Sequence, residues 1–220
     1  MTAFFFSKQE ILARRRAEID DARARGAEPS RAGMNLALII LGSALYGAKQ
    51  WSGDDYAEHP IIVGMTKTRS TVKQIIGILH DVVEDSDWTL DDMRTVGFSE
   101  RIVRGVEAVT KRDGEQYLEF IERCSLNSDG IDVKINDLEH NSTHTRNNRL
   151  LTEKQIGKQN IYILSYNYLV AVKKGQIEAG SSIYDFMKKN PGLDVGKDLW
   201  EHYSARPYYR RPQAFPVPQP

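Results

Sequence analysis

The chain has 220 residues, 40% of them hydrophobic, which is enough to bury one substantial core with an appendage. Its 30 basic and 30 acidic residues cancel to zero formal charge, removing any general pull toward nucleic acid or an anionic membrane. A single cysteine, Cys124, excludes an intrachain disulfide and suits a reducing, cytoplasmic setting. On a helical core that thiol reads as a packed or half-exposed group rather than a nucleophile.

From the N-terminus, Phe4-Phe5-Phe6 is too short, and too soon followed by charge, to read as a secretory signal. Ser7-Lys8-Gln9-Glu10 predicts a capping box, with Phe6 and Ile11 spaced as a hydrophobic staple, opening an arginine-rich helix to about Arg25. Acidic residues follow Arg14-Arg15-Arg16, so the basic run reads as a solvated face. Gly26 to Gly33 is a connector. Met34 to Gln50 predicts a helix rich in small residues, and its apolar run is too short and too interrupted to span a membrane. In Tyr56-Ala57-Glu58-His59-Pro60, the proline suits a first helical turn. His59 is thereby expected just before a helix from Ile61 to Lys67.

The most informative stretch is Gly77 to Ser86. Val72, Ile75, Ile76, Leu79 and Val83 recur at helical spacing, and one helix is expected to carry His80, Asp81, Glu84 and Asp85. At about 100° per residue these four polar groups occupy an arc of roughly 140° beside that apolar stripe. Asp85 to Asp87 read well as a solvated acidic helix end followed by a turn. His80-Asp81 does not, because flanking apolar residues on both sides make its burial costly without a cation or hydrogen-bonding partner.

Thr89-Leu90-Asp91-Asp92, Asp113-Gly114-Glu115-Gln116 and Thr152-Glu153-Lys154-Gln155 predict further helix starts. Between the last two, a helix around Ile131, Ile135 and Leu138 carries a polar stripe of Lys134, Asp137, Asn141 and His144. Two imidazoles and two carboxylates would form a mixed nitrogen and oxygen shell suited to manganese, iron(II) or zinc. Beyond Lys173, short helices are expected over Ile183 to Lys189 and Val195 to Tyr203, separated by Asn190-Pro191-Gly192. A proline-rich tail then runs to Pro220. The tail reads as an arm packed on the core or on another subunit, more than as a docking strip or lid. Its aromatic and arginine content is compatible with a homo-oligomer. No segment alternates with period two and no repeat is visible.

The order His59, His80-Asp81, Asp137 resembles the HD-domain metal-dependent phosphohydrolases. Within them, Tyr-x-x-His-Pro, His-Asp-Val-Val-Glu-Asp and Lys-x-x-Asp-x-x-His-Asn are similar to the hydrolase domain of RelA/SpoT-type alarmone enzymes and to the small alarmone hydrolases, including the metazoan SpoT homologue. The likeness runs from about Ala44 to about Tyr162, and Val106-Glu107-Ala108-Val109-Thr110-Lys111 is similar to the family's Gly-Val-Thr-Lys segment. It implies an all-α HD-domain fold over residues 34–172, preceded by a helix and connector over 1–33. A helical and proline-rich extension follows over 173–220. It implies one divalent ion, usually manganese, held by His59, His80, Asp81 and Asp137, with Glu84 and Asp85 as the catalytic pair. It also places Asn141 near the nucleotide sugar and Ser52 in the pocket wall.

Where the family reads Arg-Lys-x-Gly-x-Pro-Tyr-x-x-His-Pro, this chain reads Gln50-Trp51-Ser52-Gly53-Asp54-Asp55-Tyr56-Ala57-Glu58-His59-Pro60. The basic pair is gone, and Trp51 reads equally as a base-stacking residue or a loop anchor. Asn136 replaces a usually small residue, and His144 stands where threonine is common beside the base. The expected partner is a small nucleotide, with neither nucleic acid nor membrane. The expected activity is removal of the 3′-pyrophosphate from a guanosine or adenosine alarmone. Hydrolysis of a deoxynucleoside triphosphate or NADPH, and sequestration of a nucleotide by an antitoxin-like module, are the alternatives.

Overall fold

In a computed structural model, residues 6–48, 55–144 and 152–205 are described, except for the side chains of residues 143, 144, 204 and 205. The described residues are predominantly helical and contain no strand, an all-α fold. None of their helices is long and apolar enough to cross a membrane. The chain divides into two compact units, one up to Thr110 and one from Lys111, so the division falls inside the expected 34–172 segment.

The first unit begins with α1 (Lys8–Ala24), where Ser7 and Glu10 complete the expected capping box. The Arg14 guanidinium lies 3.8 Å from the Phe6 ring centre. Arg15 departs from the expected solvated face. It is buried, and its guanidinium donates to the carbonyls of Val96 and Ser30. The following helices are α2 (Met34–Leu45), α3 (Glu58–Met65), α4 (Thr71–Leu79), α5 (Val82–Asp85), α6 (Leu90–Thr95) and α7 (Glu100–Val109). Thr89 and Asp92 form the capping box expected for α6.

Helix α4 is the centre of this unit, packed by α2, α3 and α7. Ile75, Ile76, Ile78 and Leu79 are all buried, so α4 is covered on nearly every side rather than along one stripe. Two glycines allow its close approach to α3. A Cβ on Gly77 would lie 2.5 Å from the Gly64 Cα, and one on Gly64 would lie 2.6 Å from the Gln74 carbonyl oxygen. A Cβ on Gly105 of α7 would lie 2.2 Å from Ile76 Cδ1. Backbone contact of this kind is available only where the side chain is a hydrogen.

Two expected elements differ in their bounds. Helix α3 starts at Glu58, so His59 lies inside its first turn instead of before it. Pro60 is still accommodated there, because the first N–H groups of a helix have no intrahelical acceptor. The expected continuous helix through His80 to Asp85 is interrupted at His80-Asp81, which join α4 to α5 as a turn. The His80 ring explains the break. Its Nδ1 lies 2.7 Å from the Gly77 carbonyl oxygen, and a side chain bonded to a helix carbonyl competes with the backbone ladder. Of the two valines that follow, Val82 is fully buried and Val83 only half-buried.

The second unit comprises α8 (Tyr117–Cys124), α9 (Ser128–His144), α10 (Glu153–Lys173), α11 (Ile183–Lys189), a short 3₁₀ turn (Pro191–Leu193) and α12 (Lys197–Ala205). Gln116 and Glu119 cap α8, three residues beyond the expected start at Asp113, while Thr152 and Gln155 cap α10 as expected. Its core joins Phe120 and Ile121 of α8, Ile131 and Leu138 of α9, and Ile161, Leu164 and Leu169 of α10. Tyr168 meets Phe186 edge to face, seating α11 on α10. Cys124 is fully buried, and burial pushes its thiol up to about 12, which makes it a poor nucleophile.

Candidate metal centre

Among the described residues, His59, His80 and Asp81 bring one ligand atom each to within 4.8 Å of one another and could hold a metal ion. Three separate backbone features build this cluster. His59 comes from the first turn of α3, the paired glycines set α3 against α4, and His80 and Asp81 sit where the helix is interrupted after Leu79, both still in right-handed helical dihedrals. The two imidazole centres are 5.1 Å apart and steeply inclined. His80 Nε2 lies 3.0 Å from Asp81 Oδ1, and His59 Nε2 lies 3.7 Å from Asp81 Oδ2. Both histidines are buried, and the Asp81 side chain is 16% exposed.

The Gly77 carbonyl can only accept, so the hydrogen between it and His80 belongs to Nδ1. His80 Nε2 then has two consistent states beside the Asp81 carboxylate. It is an imidazolium donor, or it is a lone pair directed with Asp81 Oδ1 toward a shared cation. The second matches the usual arrangement of a ligating histidine, whose other ring nitrogen is fixed by a carbonyl or carboxylate.

Tyr56, in the turn before α3, closes one side of the cluster. Its hydroxyl lies 3.1 Å from Asp81 Oδ2 and 2.8 Å from Asp85 Oδ2, and its backbone N–H donates to the Ala48 carbonyl. Burial, then the charges of Asp81 and Asp85, push its phenol far above the usual tyrosine range, so the hydroxyl stays a donor. The expected catalytic pair lies on α5, one turn beyond His80 and Asp81. Asp85 is half-buried and engaged by Tyr56, and Glu84 is half-buried on α5. Asp87 is exposed, so the solvated part of the acidic run begins beyond the site.

Asp137 belongs to the second unit, where Lys134 Nζ donates to its Oδ2 and Asn141 Nδ2 to its Oδ1, each at 2.6 Å. Of the polar stripe expected on α9, Lys134, Asp137 and Asn141 form a hydrogen-bonded row, with Lys134 and Asp137 both buried. Lys134 Nζ also lies 4.9 Å from the Phe120 ring centre. The backbone at His144 is part of α9, its side chain lies outside the described residues, and so do Trp51, Ser52 and the tail beyond Ala205.

The role of Tyr56 was missed in the sequence. Its spacing of three from His59 hinted at a shared side, but its bonds to Asp81 and Asp85 span 25 and 29 residues. No protein-family model matches the chain.

Proposed function

We propose that the protein is a metal-dependent phosphohydrolase acting on a nucleotide, with removal of the 3′-pyrophosphate of a guanosine or adenosine alarmone as its activity. The observation that carries the reading is the convergence of His59, His80 and Asp81 within 4.8 Å at a break in an otherwise buried helix. The donor set, two imidazole nitrogens and a carboxylate, fits a divalent first-row ion. Manganese and a fourth ligand, Asp137, are taken from the resemblance to RelA/SpoT-type hydrolases, as are the nucleotide contacts of Asn141, Trp51, Ser52 and His144. A bound ion would supply Lewis acidity, lowering the pKa of water and offsetting phosphoryl charge. The chain's own carboxylates do the rest. Asp85, held by Tyr56, and Glu84 accept or relay the proton released from the attacking water.

The test is elemental analysis and turnover on the purified chain. About one divalent ion per chain is expected, with activity abolished by chelation and restored best by manganese. His80→Ala and Asp81→Asn should lose the ion, and Asp137→Asn should lower its occupancy. A nucleotide panel read by mass should show pyrophosphate release from a 3′-pyrophosphorylated purine nucleotide. Full activity in metal-free protein would refute the reading, and stoichiometric depletion without product would instead assign a sequestering module.

A further inference from the structure

We propose that Tyr56 is a positioning residue that fixes how Asp81 ligates the metal. This rests on the reading of His59, His80 and Asp81 as a metal triad. The Asp81 carboxylate has two oxygens with different surroundings. Oδ1 lies 3.0 Å from His80 Nε2, while Oδ2 lies 3.1 Å from the Tyr56 hydroxyl and 3.7 Å from His59 Nε2. A hydroxyl donating to Oδ2 holds that oxygen back and leaves Oδ1 as the ligating atom. Asp81 thus binds through one oxygen. Without the hydroxyl both oxygens are open to the ion, and the carboxylate is free to rotate toward a two-oxygen mode.

The same hydroxyl lies 2.8 Å from Asp85 Oδ2. It carries one hydrogen and cannot donate fully to both carboxylates. Shared between the two, it resists rotation of either carboxylate. Tyr56 thereby links the orientation of the metal ligand to that of the carboxylate four residues on. The backbone keeps the pair in register, since the Asp85 N–H donates to the Asp81 carbonyl at 2.8 Å. A role confined to anchoring the turn would need only the Tyr56 ring and its backbone bond to Ala48, both of which Tyr56→Phe retains.

The experiment compares the full chain with Tyr56→Phe, using Mn2+ as the probe. Affinity is measured by competition with a chromophoric chelator, coordination by the electron paramagnetic resonance spectrum at saturating Mn2+, and folding by thermal denaturation of the metal-free protein. Tyr56→Phe should melt with the wild type, bind Mn2+ about tenfold more weakly, as loss of an outer-shell partner does, and give an altered Mn2+ spectrum. An unchanged spectrum overturns the proposal whatever the affinity, because general loosening of the turn would weaken binding without changing how Asp81 ligates. If the wild type binds Mn2+ and the variant is indistinguishable from it, only this inference fails. Absence of Mn2+ binding in the wild type removes the metal reading and the inference together.

Discussion

Glu84 and Asp85 are neighbours on α5, both half-buried. Asp85 accepts from Tyr56 beside the candidate ligand Asp81, which fixes its orientation. Positioned proton transfer contributes about two to four orders of magnitude in rate. Glu84→Gln and Asp85→Asn should therefore each lower turnover by about a hundredfold or more while metal content and melting temperature persist. Wild-type rates in both variants would make the pair structural. At this scale the sequence was informative about identity and poor about orientation. His80 and Asp81 were legible because a histidine and an aspartate inside an apolar run need a partner, and His59 because it precedes a proline that suits a helix start. Tyr56 was not, since which oxygen of a carboxylate a hydroxyl meets depends on a fold-wide arrangement.

Among the elements, the turn between α4 and α5 departs most from expectation, and it carries two of the three candidate ligands. Periodicity called for one helix, and every residue from Ile75 to His80 is indeed buried. The competing interaction was local, between the His80 ring and the Gly77 carbonyl, and no apolar pattern reports such a bond. Gly77 serves twice, as that acceptor and as the point of contact with Gly64. Its Cβ would meet backbone, which cannot turn aside, whereas a Cβ on Gly105 would meet the Ile76 side chain. Gly77→Ala should therefore displace α3 from α4, destabilise the protein by about 1–3 kcal/mol as overpacking does, and weaken metal binding by moving His59 off His80. Gly105→Ala should also cost stability, yet retain the metal affinity of the wild type. Denaturant titrations and Mn2+ competition on both variants separate the two. Equal metal affinity in Gly77→Ala would show that the glycine contact does not set the spacing of the ligands.

For the whole molecule, the all-α class was legible from the absence of period-two alternation and from successive capping signals, of which those at Ser7, Thr89 and Thr152 stand where expected. The division at Thr110 was not, because Lys111 to Gln116 is a short charged connection like several others in the chain. In the second unit, that connection is held by Glu115 and Arg123. Arg123 Nε lies 2.6 Å from Glu115 Oε1, and the second guanidinium bond is 2.8 Å long. The Arg112 N–H adds a third bond to the carboxylate at 2.9 Å. Burial alone would raise the Glu115 carboxyl, but the hydrogen bonds from Arg123 and Arg112 outweigh it and hold the group below the ordinary glutamate value. A carboxyl depressed on folding contributes stability that is present above the unfolded pKa, about 4.3 for glutamate, and lost as pH falls through the folded value. Glu115→Gln should thus cost about 1–3 kcal/mol near neutral pH, the scale of charge-assisted hydrogen bonds. The gap from wild type should narrow as the medium is acidified below the ordinary carboxylate range. Urea unfolding of both proteins across that range measures it. A difference that stays constant with pH would assign the effect of Glu115 to packing rather than to its charge.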